Sequence, residues 1–171
     1  ELPQFGVTSF LATSRTSPLE LLIQFLQSVH ESKQSFHNQK EILGAEILGA
    51  HIEGPWISHT YRGAQPAHHI QPLSKSSIDA MRPFFNEINM ITLAPEEIKD
   101  LTILEHFKKQ NITISAGHTN ATMEDILSAM RYGLSQMTHT FNAMSPMHHR
   151  HPGAAAAALY DAKLHCEVIA D

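Results

Sequence analysis

At 171 residues, 42% hydrophobic and 17% charged, the chain has the composition of a soluble globular protein with a sizeable core, not of a disordered or fibrous one, and one domain is expected. Its net charge of −5, with no run of basic residues, argues against a nucleic-acid track or an anionic membrane as partner and for a small soluble ligand. The single cysteine, Cys166, excludes an internal disulfide, no stretch approaches a membrane span, and the N-terminus lacks the layout of a signal peptide, so a cytoplasmic protein is expected.

In chain order, "GVTSFLAT" (6–13) is β-branched and aromatic and reads as a strand. A helix from Pro18 to His30 follows, with Ser17 and Glu20 spaced as a capping box and Leu19, Leu22, Ile23 and Leu26 as its apolar stripe. "ILGAHIE" (47–53) is the next strand, after which a loop rich in Gly, Pro and His runs to about residue 72, long enough to be functional. A helical stretch at 75–87 should break at Pro83. "MITLAP" (90–95) is the third strand, and Glu96 to Gln110 reads as an amphipathic helix with Ile98, Leu101, Leu104 and Phe107 on one side.

The same pattern continues to the C-terminus. "ITISAGH" (112–118) is a strand, Thr122 and Asp125 are spaced as a capping box for a helix ending at Gly133, "QMTHTFN" (136–142) is a strand, Ala154 to Tyr160 a short helix, and "HCEVIAD" (165–171) a last strand. Six strands alternating with helices imply a parallel sheet with helical crossovers, either an open doubly wound sheet or a closed eight-stranded barrel. The adjacent copies in "EILGAEILGA" (41–50) are too short for a repeat architecture.

Thirteen histidines outnumber the 12 lysines and arginines, and position must separate the ordinary ones from the rest. His30, His37, His59, His106 and His165 stand alone, while His68-His69 and His148-His149 are doublets in loop-like sequence, where solvent exposure is the simple reading. His51 and Glu53 differ: two apart on a strand, they share a face, and Gly54-Pro55 turns the chain away just beyond them. His118 ends the 112–118 strand in the same manner, and His139 lies near the end of the next. In parallel α/β architectures the C-terminal strand ends form the rim where ligands and catalytic groups collect. A carboxylate with two neutral imidazoles and no thiolate suits zinc, iron, cobalt or manganese with room for water.

The segments "GAHIEGPW", "YRGAQP", "TLAPE", "SAGHTNAT", "THTFNAMSPMHHRHPG" and "CEVIAD" resemble, in order and spacing, those of N-acetylglucosamine-6-phosphate deacetylases, metal-dependent (β/α)8-barrel enzymes of the amidohydrolase superfamily. The resemblance implies a partial (β/α)8 TIM barrel, strands two to seven with their crossover helices. It makes Glu53, His118 and His139 the protein ligands of a catalytic divalent metal, zinc or iron foremost, and makes Ala64, Asn142, Ala143 and Arg150 contacts of the sugar phosphate. Arg150 offers a charged fork suited to phosphate, backbone amides near Asn142 and Ala143 add uncharged donors, and His51 supports Glu53 from behind. The chain departs from the family at Gln65, where many members have histidine, and at His151, where glutamate is common.

A complete barrel of this type needs roughly 250 residues, so the resemblance implies a single hydrolase barrel domain truncated at both ends, an internal fragment inactive by itself. The aspartate serving as general base would lie beyond residue 171, with no catalytic residue on this chain. The implied reaction removes the acetyl group of N-acetylglucosamine 6-phosphate to give glucosamine 6-phosphate and acetate, in a homodimer when full length. The competing readings are another hydrolase of the superfamily and a non-catalytic sugar-phosphate-binding remnant.

Overall fold

A computed structural model of the chain describes residues 2–38 and 44–170. Six strands among them, β1 (Ser9–Ser14), β2 (Glu46–Glu53), β3 (Ile88–Leu93), β4 (Thr113–Ala116), β5 (Leu134–Met137) and β6 (His165–Cys166), form one sheet in the order β1-β2-β3-β4-β5-β6, every neighbouring pair parallel. A doubly wound sheet reverses direction at a switch point; strictly sequential order keeps every crossover on one side and curls the sheet into part of a (β/α)8 barrel. The first residues of the "EILGAEILGA" duplication and Asp171 lie outside the described residues.

The helices cover one face. Leu22, Leu26 and Val29 of α1 (Leu19–His37) and Ile78 and Met81 of α2 (Lys75–Met81) pack with Ala50 and Ile52 of β2, Ile91 and Leu93 of β3 and Ile114 and Ala116 of β4 in one buried cluster. Period-two alternation then sends His51 and Glu53 to the opposite face. There the buried His51, Thr92, Ser115 and Thr138 form a polar layer: His51 Nε2 lies 2.7 Å from Thr92 Oγ1, and Thr138 Oγ1 lies 2.6 Å from both Thr92 Oγ1 and Ser115 Oγ. Gly117 admits no side chain beside this layer, because an added Cβ would stand 2.8 Å from Thr92 Cγ2 and 2.9 Å from Thr138 Cβ.

Several sequence expectations are met. The 75–87 segment is α2 followed by a 3-10 helix, Arg82–Glu87, the change of helix type falling between Met81 and Arg82, just before Pro83. The capping box at Thr122 and Asp125 is present on α4 (Met123–Met130), with reciprocal bonds of 3.1 and 2.8 Å, and α5 spans Ala154–Tyr160.

Others need correction. Ser17 does not cap α1: Pro18 is the N-cap, its carbonyl accepting from Leu21 and Leu22, so Ser17 and Glu20 are one position out of register for a box. The helix expected over Glu96–Gln110 is broken into 3-10 turns at Pro95–Glu97 and Leu101–Leu104 and the short α3 (Glu105–Lys108). Asp100 accounts for the break, its carboxylate accepting from the Thr102 amide and hydroxyl at 3.0 and 2.7 Å and starting a new turn there. The strands expected to reach His118, Asn142 and Asp171 stop at Ala116, Met137 and Cys166.

Replacing Thr122 by alanine removes the α4 cap and should lower stability by about 1 kcal/mol, read as a lower urea midpoint at unchanged denaturant slope.

Candidate metal centre

Glu53 is the last residue of β2, His118 follows β4 by two residues and His139 follows β5 by two, so one strand end and two loops at the same rim carry the three side chains. One ligand atom from each falls within 4.8 Å of the others. Glu53 Oε1 is 2.9 Å from His118 Nε2 and 3.9 Å from His139 Nε2, and the two imidazole nitrogens are 3.1 Å apart. Side-chain exposures of 7%, 16% and 18% for His118, Glu53 and His139 leave the cluster shielded yet open on one side.

The backbone is bent to bring this about. His118 and His139 have φ of 49° and 34°, and Phe141 and Ala143 follow at 79° and 49°. Four non-glycine residues in the left-handed region store strain, each on the order of 1 kcal/mol or more, that neighbouring contacts must hold. For His118 these are the Ser58 amide on its carbonyl at 2.8 Å, and the Glu96 carboxylate, which accepts from the Thr119 hydroxyl and the Asn120 amide, both at 2.5 Å. Burial raises the pKa of Glu96 despite those bonds. For the His139 turn they are Thr140 N–H donating to the Glu167 carbonyl at 2.7 Å and Thr119 N–H to the Ala143 carbonyl at 3.1 Å. Neither Glu96 nor this strain is legible in the sequence, since both depend on loops that meet only in the fold.

Hydrogen bonding fixes what the cluster accepts. His118 Nδ1 lies 3.1 Å from the carbonyl oxygen of Tyr61. A carbonyl only accepts, so Nδ1 carries a proton, and Nε2 is the nitrogen turned toward Glu53 and His139. Two imidazole nitrogens and a carboxylate oxygen facing one another at these distances demand a proton or a cation among them. Either a proton or a metal ion satisfies the demand, and two nitrogens with one oxygen fit a borderline divalent cation. The titration behaviour has the same origin. Burial alone would raise the Glu53 pKa, but hydrogen bonds and charge from His118 and His139 outweigh it and hold the carboxyl well below its usual range. The Glu53 carboxylate nearby raises the pKa of His139 against the opposing effect of burial. His51 is lowered from 6.5 to about 4, chiefly by burial, with Glu53 opposing the shift.

The remaining expected residues lie around this cluster. A Cβ added at Gly63 would meet the His118 ring at 3.6 Å and the Ala143 Cβ at 3.7 Å, so the loop carrying Ala64 packs beside the turn carrying Ala143. The Asn142 N–H donates to the His139 carbonyl at 2.9 Å, which leaves the side chain as that residue's remaining polar group. Arg150 is exposed and lines a cleft of about 520 Å3 with Tyr61, Asn120, Ser145, His148 and His151. Tyr61 joins the cleft to the Glu53, His118 and His139 cluster, since its carbonyl holds His118. The His151 ring stacks on His148 with centroids 5.6 Å apart, and His148 Nδ1 accepts from the Arg150 amide at 3.2 Å.

No family model matches the chain. It is 40% identical to an N-acetylglucosamine-6-phosphate deacetylase of Bacillus subtilis over 99% of its own length and 43% of that protein. It is 31% identical to an N-acetylgalactosamine-6-phosphate deacetylase of Escherichia coli O157:H7 over 97% of its length and 43% of that protein. The crystal structure of N-acetylglucosamine-6-phosphate deacetylase from Thermotoga maritima superposes with a TM-score of 0.87 at 33% identity, over 99% of this chain and 44% of that one. A mutant of the Mycobacterium smegmatis enzyme in complex with N-acetyl-D-glucosamine-6-phosphate superposes at 0.84 with 26% identity, over 94% and 40%. The chain thus spans about two fifths of the length of the relatives it matches.

The His51 shift has a consequence for stability. Its folded pKa of about 4 lies below the ordinary 6.5, so the unfolded chain takes up a proton that the fold resists, and stability falls as pH drops from 6.5 toward 4. In chelated protein the loss from this group should approach about 3 kcal/mol near pH 4, and His51→Asn should flatten it, as read from urea midpoints across that range.

Proposed function

We propose that this chain, by sequence a member of the N-acetylglucosamine-6-phosphate deacetylase family, carries the metal-binding and phosphate-binding parts of an enzyme that hydrolyses the acetamide of N-acetylglucosamine 6-phosphate to glucosamine 6-phosphate and acetate. The observation that carries the reading is the convergence of Glu53, His118 and His139 on one point at the C-terminal rim of the sheet.

In this reading Glu53 Oε1 and the Nε2 atoms of His118 and His139 hold a divalent cation, zinc or iron best fitting the donors. A divalent cation held there would supply Lewis acidity toward the acetamide carbonyl and acidify a water for attack near neutral pH. The Tyr61 carbonyl keeps the His118 proton on Nδ1 and its lone pair toward the ion. Arg150 in the neighbouring cleft binds the phosphate, with the Asn142 side chain and the loop bearing Ala64 and Ala143 against the sugar. Holding the substrate by a group that does not react orients the acetamide and lowers the entropy lost on the way to the transition state. The proton taken from water and delivered to the departing amine needs a general base, which this reading assigns to an aspartate outside these residues. Cytoplasmic location and pairing into a homodimer belong to the same reading; among the described residues no helix is long and apolar enough to cross a membrane.

Acetate release from N-acetylglucosamine 6-phosphate by the intact gene product tests this directly. Activity should vanish on chelation, return with zinc or iron(II), and be far lower on the unphosphorylated sugar. Glu53→Gln should lose metal and turnover together; a metal-free sugar-phosphate binder would keep its affinity for the ligand. Arg150→Ala, removing a charged hydrogen-bond donor, should raise KM and lower kcat/KM about 10- to 100-fold; an unchanged KM would contradict the phosphate assignment.

A further inference from the structure

Glu53 has one more neighbour, from the loop after β2. Gln65 is buried, with its Nε2 2.8 Å from Glu53 Oε1 and its Oε1 2.8 Å from the backbone nitrogen of Thr16. The orientation of this carboxamide follows from chemistry: a backbone N–H only donates, so the group facing Thr16 is the carbonyl oxygen and the group facing the carboxylate is the NH2. Thr16 itself has little freedom, because it sits against Gly54, where an added Cβ would stand 2.1 Å from Thr16 Oγ1 and where φ is +72°. The bridge therefore runs from the end of β1 to the end of β2. Its donor falls on the carboxylate oxygen that also faces both imidazoles.

We propose that Gln65 is the positioning residue of Glu53: by donating from Nε2 to Oε1 it keeps that oxygen turned toward His118 and His139 and so sets the affinity of the site for a divalent cation. The proposal rests on the metal reading above. An N–H donated to an ionised carboxylate is among the stronger hydrogen bonds, and outer partners of this kind fix the orientation of metal ligands. Without the donor the carboxylate rotates about its terminal torsion, which has only broad minima, and the preformed geometry is lost. A neutral imidazole presents the same pairing of one acceptor and one donor on a planar group, whereas a thioether of equal length presents no donor.

The test is competition between the metal-free protein, expressed from its full gene, and a chromophoric chelator for cobalt(II). Gln65→Met should bind about 10- to 100-fold more weakly than the wild type, with an altered cobalt visible spectrum; Gln65→His should restore both, and Glu53→Gln should not bind. Equal affinity and an unchanged spectrum in Gln65→Met would overturn the proposal while leaving the metal site standing. A wild type that binds no cobalt, or Glu53→Gln that binds as the wild type does, would instead remove the metal reading and this proposal with it. If Gln65→Met does not fold, Gln65→Glu, which keeps the acceptor for Thr16 and removes the donor, takes its place with the same expectation and the same overturning result.

Discussion

Three electron-pair donors that share no chain neighbourhood are held face to face, and the arrangement is stable only with positive charge among them. Glu53, His118 and His139 span 87 positions of the sequence, yet their ligand atoms fit within 4.8 Å. The bond from His118 Nδ1 to the Tyr61 carbonyl leaves Nε2 as the atom that faces both Glu53 and His139. A cluster of this kind is a candidate site for a cation. In its absence the raised proton affinity of His139 lets a proton stand in.

The fold meets that requirement by order and by polarity. Sequential parallel strands bring the exits of β2, β4 and β5 to one rim, where residues from separate βα units meet without long connections. Beneath the rim, hydrogen bonds among His51, Thr92, Thr138 and Ser115 replace the branched apolar filling usual in barrel interiors. The chain has a satisfied direction: Ser115 donates to Thr138, Thr138 to Thr92 and Thr92 to His51 Nε2, while His51 Nδ1–H faces Thr13 Oγ1 at 3.4 Å and Thr13 donates to the Leu11 carbonyl. Four hydroxyls and one neutral imidazole thereby tie β1 through β4 to the residue preceding His139. Strain in the His118 and His139 backbones is borne by this layer, by Glu96 and by the Ser58 amide.

What the sequence disclosed was local or periodic. The alternation in "ILGAHIE" placed His51 and Glu53 on one face, Thr122 and Asp125 announced the α4 cap, and Pro83 marked the end of α2, each because a short-range rule of sterics or hydrogen bonding acts within a few residues. Misreadings arose where a distant or competing partner decided. An apolar stripe over Glu96–Gln110 satisfies helical spacing, but Asp100 binds its own downstream amide more locally than a helix allows. "QMTHTFN" alternates like a strand, but contacts from Glu167 and Thr119 draw it into a turn with positive φ. The part played by Gln65 depends on Thr16, which lies 49 positions away and carries no motif. The family likeness supplied the ligand set and the barrel, the second of which strand order and structural neighbours bear out.

The most direct measurement is anomalous diffraction at the metal's absorption edge from crystals of the intact protein grown with zinc or cobalt. A single strong peak within bonding distance of Glu53 Oε1, His118 Nε2 and His139 Nε2 is the expected result, at about 2.0–2.2 Å from each donor. Anomalous density located elsewhere, with these three side chains still bonded only to one another, would contradict the account at its root.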